Sequence, residues 1–149
     1  MDSPIDITPS FSIFEKFGIV GDSYASGEIA LDGYVDYYNI SWGQILARMS
    51  GNKCINFSRG GLSTRTWLTD RNGLSLLNST EPQQLYILAL GINDYYHLGE
   101  SYLGTVEGIT SKTDTFYGNY AKIIEGIQTK APNAKIIIST IASNATLPA

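Results

Sequence analysis

Three short polar segments of this sequence contain the residues that could do chemistry. They are Gly21-Asp22-Ser23, Asn56-Phe57-Ser58-Arg59-Gly60-Gly61 and Gly91-Ile92-Asn93-Asp94. A serine hydroxyl becomes a nucleophile when a base takes its proton. Backbone N–H groups and the uncharged amide of asparagine can donate hydrogen bonds to a negatively charged oxygen. The segments therefore contain groups suited to nucleophilic chemistry, provided that the fold brings them together.

Each polar segment follows an apolar run that predicts a β-strand. The first three strands are expected at Lys16–Val20, Cys54–Phe57 and Leu85–Leu90, and a fourth at Ala134–Ile141. The run from Leu85 to Leu90 is almost continuously apolar, which is typical of a central parallel strand covered on both faces. Each of the first three strands thus delivers polar groups to its carboxyl end.

Helices are predicted between the strands. Apolar residues at helical spacing indicate one helix from Trp42 to Met49 and another over Phe116–Ile127, with Ser111 and Asp114 spaced like a capping box. The segment Thr64–Leu77 predicts one broken helix or two short ones. The Tyr- and Gly-rich stretch from Tyr95 to Ile109 has no periodicity and is interpreted as a candidate binding loop.

This alternation of strands and helices predicts an α/β fold with three α/β/α layers. Right-handed crossovers would give an open parallel sheet with helices on both faces. Ligands bind such sheets beyond the carboxyl ends of the strands, where the three polar segments should converge. We expect an N-terminal arm over residues 1–15 and the α/β domain over residues 16–149.

The ordered set of three segments, each after its own strand, resembles the SGNH hydrolases, also called GDSL-type esterases and lipases. The resemblance extends roughly from Phe17 to Ser139. It implies a flavodoxin-like parallel sheet and a serine ester hydrolase that needs no metal or cofactor. The implied substrate is an acyl ester, such as an acetylated carbohydrate or a short-chain acyl ester.

The resemblance also implies roles for individual residues. Ser23 would be the nucleophile, and the backbone N–H groups of Ser23 and Gly61 would form an oxyanion hole with the side-chain amide of Asn93. Gly60 stays open as the alternative to Gly61. Five neighbouring residues are expected to contact substrate: Asp22, Tyr24, Gly60, Asp94 and Tyr95. For the two aspartates, a structural role in their turns is the stronger interpretation.

The sequence departs from the family at the catalytic base. The family takes its base from an Asp-x-x-His motif after a fifth strand, and this sequence contains no such motif. Its one histidine, His97, follows Asn93 by four residues, where the resemblance places no base, so it receives no base role. We therefore interpret the sequence as lacking the last strand and helix, and expect this chain on its own to be a poor esterase. The fourth strand, with Ile136–Ile138, would then be an exposed edge suited to homodimerisation.

Composition excludes several other classes. The chain has 149 residues, 43% of them apolar, and a net charge of -4 without a basic run, which argues for one globular domain and against nucleic acid or an anionic membrane as partner. No apolar run is long enough to span a bilayer. A single cysteine excludes an internal disulfide, and one histidine with one cysteine argues against zinc. The compartment stays open: either cytoplasmic, or secreted or periplasmic after removal of a signal peptide.

Other interpretations of the same residues stay open. Ser23 could be a turn serine and Asn93 an Asx-turn residue, while Arg59 and Arg65 could hold an acidic substrate group. Six tyrosines cluster near the polar segments: Tyr24, Tyr34, Tyr37, Tyr38, Tyr95 and Tyr96. They could stack on sugar rings or cover half-buried surface. The alternative function is a non-catalytic module that binds a carbohydrate or an acylated ligand.

Overall fold

A parallel β-sheet lies at the centre of the fold. The computed structural model describes residues 13–31 and 33–139, and the element counts below refer to these residues. The strands are β1 (Lys16–Gly21), β2 (Glu28–Ala30), β3 (Tyr34–Asp36), β4 (Lys53–Asn56), β5 (Leu85–Ala89) and β6 (Lys135–Ile138). Four of them form the parallel sheet in the order β4-β1-β5-β6, and β2 and β3 pair as an antiparallel hairpin.

Helices connect the parallel strands. They are α1 (Ser23–Ser26), α2 (Trp42–Ser50), α3 (Thr64–Leu68), α4 (Gly73–Asn78), α5 (Ile92–Leu98), α6 (Glu107–Ser111) and α7 (Phe116–Lys130), with short 3-10 helices at Tyr38–Ile40 and Glu100–Leu103. The predicted α/β class is confirmed, because a parallel sheet is flanked by helices. The four predicted strands are also confirmed, although each differs from its prediction by a residue or more at its ends.

Two apolar clusters cover the two faces of the sheet. Val20 of β1 belongs to the larger cluster, which contains Trp67 of α3 and Ile123 of α7. Its neighbour Ile19 belongs to the second cluster, together with Ala47 of α2. Successive side chains of a strand point to opposite faces, so β1 contributes to both cores. This double coverage explains why the central strands are almost continuously apolar.

The predicted helix after the first polar segment is confirmed at α2. Ser41 caps its N-terminus by accepting a hydrogen bond from Gln44 N at 3.4 Å, and Gly51 ends it in the left-handed conformation with φ 72°. A side chain at Gly43 would collide with Ile19, so this glycine allows α2 to lie close to the sheet. Local start and stop signals thus define the helix, and one glycine defines its distance from β1.

The structure corrects the prediction of a loop at Tyr95–Ile109. This stretch contains the end of α5, the 3-10 helix and most of α6. Gly99 and Gly104, with φ of 80° and 73°, separate these pieces. Each piece is too short to show an apolar period in the sequence, because a period needs at least two full turns.

The predicted capping box of α7 is also wrong. Thr115 is the N-cap and accepts from Gly118 N at 3.2 Å. Ser111 is instead the last residue of α6, where its hydroxyl donates to Glu107 O at 3.2 Å. The carboxylate of Asp114 is occupied by other partners, described below.

The segment Thr64–Leu77, predicted as one broken helix or two short ones, forms two short helices. These are α3 and α4, and they are separated at Asn72, which adopts φ 50°.

Strand β6 forms one end of the sheet within the described residues. Ile137 and Ile138 are about half exposed, and Ile136 packs against the larger core. Dimerisation through this strand stays a prediction. The predicted arm lies outside the described residues except for 13–15, as do the last residues of the fourth predicted strand. Among the described residues, no helix is long and apolar enough to cross a membrane.

Candidate active site

The sheet brings the three polar segments to one edge. Strand β1 pairs in parallel with β4 on one side and with β5 on the other, with Ile19 opposite Asn56 and Gly21 opposite Ala89. The chain therefore leaves all three strands at the same edge of the sheet. This is the arrangement that the sequence predicts for a binding site.

Ser23 begins helix α1, directly after β1. Asp22 caps this turn: its Oδ1 accepts from Tyr24 N at 3.0 Å, and its carbonyl accepts from Ala25 N and Ser26 N at 3.1 and 2.9 Å. Ser23 itself is partly exposed. The capped turn therefore holds the serine at the surface of the sheet edge while Asp22 and Ala25 beside it are buried.

The Asp22 carboxylate is buried, with 2% of the residue exposed. The pKa of Asp22 is raised to about 6, mainly because the carboxylate is buried. The hydrogen bond from Tyr24 N lowers this pKa, and the nearby charges of Asp94 and Glu28 raise it. A buried carboxylate that caps its own turn favours the structural role over contact with substrate.

The second segment is held to the first by Asn56, at the end of β4. Its Nδ2 donates to Ala25 O at 2.7 Å, and its Oδ1 accepts from Ser58 N at 3.0 Å. Beyond it, Gly60 N donates to Asp36 Oδ1 at 2.9 Å, whereas Gly61 is exposed and adopts φ 73°. Such a backbone conformation favours glycine. The sequence indicated Asn56 only as the first residue of the second segment, and its linking role was missed.

The third segment contacts the second through two side chains in the first turn of α5. Asn93 Nδ2 donates to Leu62 O at 3.0 Å, which uses one of its two N–H groups. Asp94 is fully buried and accepts from Thr64 N at 2.9 Å and from Thr64 Oγ1 at 2.5 Å. Burial is the main cause that raises the pKa of Asp94, while the bonds from Thr64 lower it. Asn93 and Asp94 thus attach α5 to the chain that follows Gly61.

Tyr24 and Tyr95 are exposed aromatic residues beside the site, with 78% and 51% of their surface open to solvent. Each directly follows one of the polar segments. His97, in the last turn of α5, is also exposed. In the described part of the chain, no group of three His, Cys, Asp or Glu residues could hold a metal ion.

Arg65 has partners within the fold. Its guanidinium lies 2.8 Å from Asp114 Oδ2 and 4.5 Å from the ring centre of Tyr102. Although partial burial raises the pKa of Asp114, the hydrogen bonds from Asn119, Arg65 and Tyr102 outweigh it and lower the pKa to about 2. These contacts favour a structural role for Arg65 over a clamp for substrate. Arg59 is joined to the first segment by its backbone N, which donates to Gly21 O at 3.4 Å.

A parallel sheet flanked by helices, with the serine turn after its first strand, matches the fold of the SGNH hydrolases. The chain belongs to the GDSL-like Lipase/Acylhydrolase family, whose model matches residues 19–149. A comparison with curated proteins gave no match.

Solved structures of three related proteins share the fold. A possible lipase from Chitinophaga pinensis is 20% identical with a TM-score of 0.55, and the alignment covers 83% of this chain and 47% of that one. Phospholipase A1 from Streptomyces albidoflavus is 18% identical with a TM-score of 0.57, covering 84% and 58%. A family two carbohydrate esterase from Clostridium thermocellum is 15% identical with a TM-score of 0.58, covering 85% and 42%. The chain thus spans about half the length of these relatives.

Proposed function

We propose that this protein is a serine ester hydrolase that acts on an acyl ester. The observation that carries the proposal is the position of Ser23, Gly61 and Asn93 after three adjacent parallel strands, with Asn56 bonded to Ala25 O just after the first segment and Asn93 bonded to Leu62 O just after the second. A partly exposed serine beside uncharged donors is what acyl transfer requires. Membership of the family supports the same reaction class.

In this proposal, Ser23 Oγ attacks the carbonyl carbon of the ester and loses its proton to a base. The carbonyl oxygen becomes negatively charged and accepts hydrogen bonds from Ser23 N, Gly61 N and Asn93 Nδ2. Collapse of this tetrahedral species expels the alcohol and leaves an acyl-serine, which water then hydrolyses. We assign no base: the sequence contains no Asp-x-x-His, and His97 is exposed on α5.

The hydrogen bonds of the loop support Gly61 over Gly60 as a donor to the oxyanion. The N–H group of Gly60 is occupied by Asp36, whereas Gly61 lies exposed with φ 73°. Asn93 is suited to the third position because its bond to Leu62 O fixes the amide and leaves a second N–H group.

For the substrate, we propose an acetylated carbohydrate or a short-chain acyl ester. The two exposed tyrosines beside the site, Tyr24 and Tyr95, support a carbohydrate, since aromatic rings can pack on the apolar faces of sugars. One relative with the same fold is a carbohydrate esterase, which agrees with this class of substrate.

The test is labelling of the full-length protein with a fluorophosphonate probe, which reacts with activated serines. We expect labelling that Ser23→Ala abolishes and that Ser75→Ala, a substitution of an exposed serine on α4, leaves unchanged. Asn93→Ala should lower ester hydrolysis by ~10²–10³-fold, the usual cost of one lost oxyanion donor. Labelling or hydrolysis that persists in Ser23→Ala would refute the proposal.

The second candidate function is binding of a carbohydrate or acylated ligand without hydrolysis. It is favoured by one observation: the sequence has a single histidine, and that residue is exposed on α5. This candidate predicts no probe labelling of the full-length protein, together with oligosaccharide binding by calorimetry that Tyr24→Ala and Tyr95→Ala weaken.

A further inference from the structure

We propose that Asp36, on strand β3 of the hairpin, is a positioning residue for the oxyanion hole. This inference rests on the proposed function. The Oδ1 atom of Asp36 accepts two hydrogen bonds, from Gly60 N at 2.9 Å and from Ser26 Oγ at 2.5 Å. One carboxylate oxygen therefore joins the loop that contains Gly61 to the helical turn that begins with Ser23.

The connection continues into the turn of the nucleophile. Ser26 is fully buried, and its hydroxyl also lies 3.2 Å from the carbonyl oxygen of Ser23. A continuous polar path thus runs from Ser23 through Ser26 and Asp36 to Gly60. At one end of this path, Ser23 is itself a proposed donor to the oxyanion. At the other end, Gly60 directly precedes the proposed donor Gly61.

The hairpin also restricts the loop by contact. Glu28 lies opposite Asp36 in the hairpin, and its carboxylate is so close to Gly60 that a Cβ there would collide with it. Tyr38 closes the other side: its hydroxyl donates to Ser58 O at 3.1 Å and lies 3.4 Å from Asp36 Oδ2. A side chain at Gly60 would therefore require Glu28 to move away, because its carboxylate occupies the space beside the glycine.

The chemical consequence follows from how an oxyanion hole works. Its donors stabilise the transition state only when they are fixed before the reaction, and a displacement of about 1 Å can cost ~10²-fold in rate. Two successive glycines give the loop many alternative backbone conformations. Loss of Asp36 would leave Gly60 N and Ser26 Oγ without their common acceptor, so Gly61 N would be held relative to Ser23 only by the more distant bonds of Asn56 and Arg59.

The experiment compares Asp36→Ala with Asp36→Asn in the full-length protein, with Asp70→Ala as the matched control at an exposed aspartate. Asparagine keeps an acceptor oxygen for both bonds, whereas alanine removes it. We expect Asp36→Ala to lower kcat by about 10- to 100-fold with KM changed by less than about twofold, and Asp36→Asn to retain most of kcat. Asp70→Ala should equal the wild type.

A second measurement does not depend on activity. Amide hydrogen exchange at Gly60 and Gly61, followed by NMR, should be faster in Asp36→Ala than in Asp36→Asn or the wild type. If Asp36→Ala fails to fold, Ser26→Ala provides the same comparison, because it removes one of the two bonds and should lower kcat less.

The outcomes separate this inference from the proposed function. If Ser23→Ala abolishes hydrolysis while Asp36→Ala leaves kcat and the glycine exchange unchanged, Asp36 has no positioning role and the proposed function stands. If Asp36→Asn is as slow as Asp36→Ala, the charge of Asp36 and not its acceptor oxygen matters, and the inference is overturned. If Ser23→Ala has no effect, the proposed function fails, and with it any role of Asp36 in an oxyanion hole.

Discussion

Asp36 and Asp94 bind the two ends of the same loop, Asp36 at Gly60 and Asp94 at Thr64, and they differ in how deeply they are buried. Asp94 is fully buried in the first turn of α5 and accepts from both the N–H and the hydroxyl of Thr64. Asp36 is only partly buried and belongs to a three-residue strand of a two-stranded hairpin. A hairpin of this size has little stability of its own. One side of the loop is therefore fixed by the core and the other by an accessory element.

Because of this difference, we expect stability and activity to respond separately to the loss of the two carboxylates. Removing Asp94 leaves two buried donors of Thr64 without an acceptor, which affects the whole fold. Removing Asp36 affects a partly buried contact at the site, where the Ser26 hydroxyl can still donate to Ser23 O. The comparison fails if both substitutions have the same effect on the same property.

The largest effect on stability is expected from Asp94→Ala. The free energy of unfolding should fall by about 2–4 kcal/mol, because buried hydrogen bonds to a carboxylate are lost and their donors stay buried. Urea denaturation measures this, with Asp94→Asn as the variant that keeps an acceptor and Asp70→Ala as the exposed control. Asp36→Ala should cost less than about 1 kcal/mol. If Asp36→Ala lowers the free energy of unfolding as much as Asp94→Ala does, the hairpin contributes to stability as much as the core does, and the comparison is wrong.

An intermediate effect on stability is expected from Asp22→Asn, which should stabilise the fold at neutral pH where Asp94→Ala destabilises it. The pKa of Asp22 is about 6 in the fold, above its ordinary 3.8, so the folded state binds the extra proton. The stability from this proton is fully present below pH 3.8 and is lost as the pH rises through 6. Asparagine keeps the cap without the charge. At pH 7.5 the variant should therefore be more stable than the wild type by about 2–3 kcal/mol, since each pKa unit corresponds to about 1.4 kcal/mol.

Denaturation at several pH values checks the Asp22 prediction. The difference between variant and wild type should shrink between pH 6 and pH 4. A difference that does not change with pH would contradict the prediction, because it would mean that folding does not raise the pKa of the Asp22 carboxylate.

The smallest effect is expected from Arg65→Ala, which removes the ion pair with Asp114 and the contact with Tyr102. Both side chains of the pair are more than a third exposed, so solvent screens their attraction. The urea midpoint should shift less than in Asp22→Asn, and 1 M salt should reduce the shift. A large rise in KM for an anionic ester at unchanged stability would instead make Arg65 a substrate contact, opposite to its structural interpretation.

The main strands and α2 could be predicted because their signals are local. Leu85–Leu90 is a continuous apolar run, and α2 has a serine before it and a glycine after it. The hairpin was missed although its sequence contains Asp32-Gly33, a dipeptide typical of tight turns. Strands of three residues are too short to show alternation, so the turn signal had no flanking pattern to support it.

The polar contacts of the site could be predicted only in part. The position of Ser23, Gly61 and Asn93 after successive strands follows from the sequence, because parallel strands end at the same edge. The partners of Asp36 do not, since Gly60 lies 24 positions away and is reached only through the tertiary fold. The prediction of the α7 cap was wrong for the same reason, because Asp114 forms an ion pair with Arg65, 49 positions earlier in the sequence.

The order of the strands has a consequence for how the protein is made. Strand β1 is central, yet one of its two partners is β5, where Leu85 pairs with Phe17 after 68 intervening steps along the chain. At ~5–20 residues per second, the ribosome needs about 3–14 s to supply that partner. During this interval the apolar strand β1 is synthesised but only half paired at best. Long-range parallel pairing also folds slowly, so the newly made chain exposes this apolar strand for longer than a chain whose consecutive strands pair with each other.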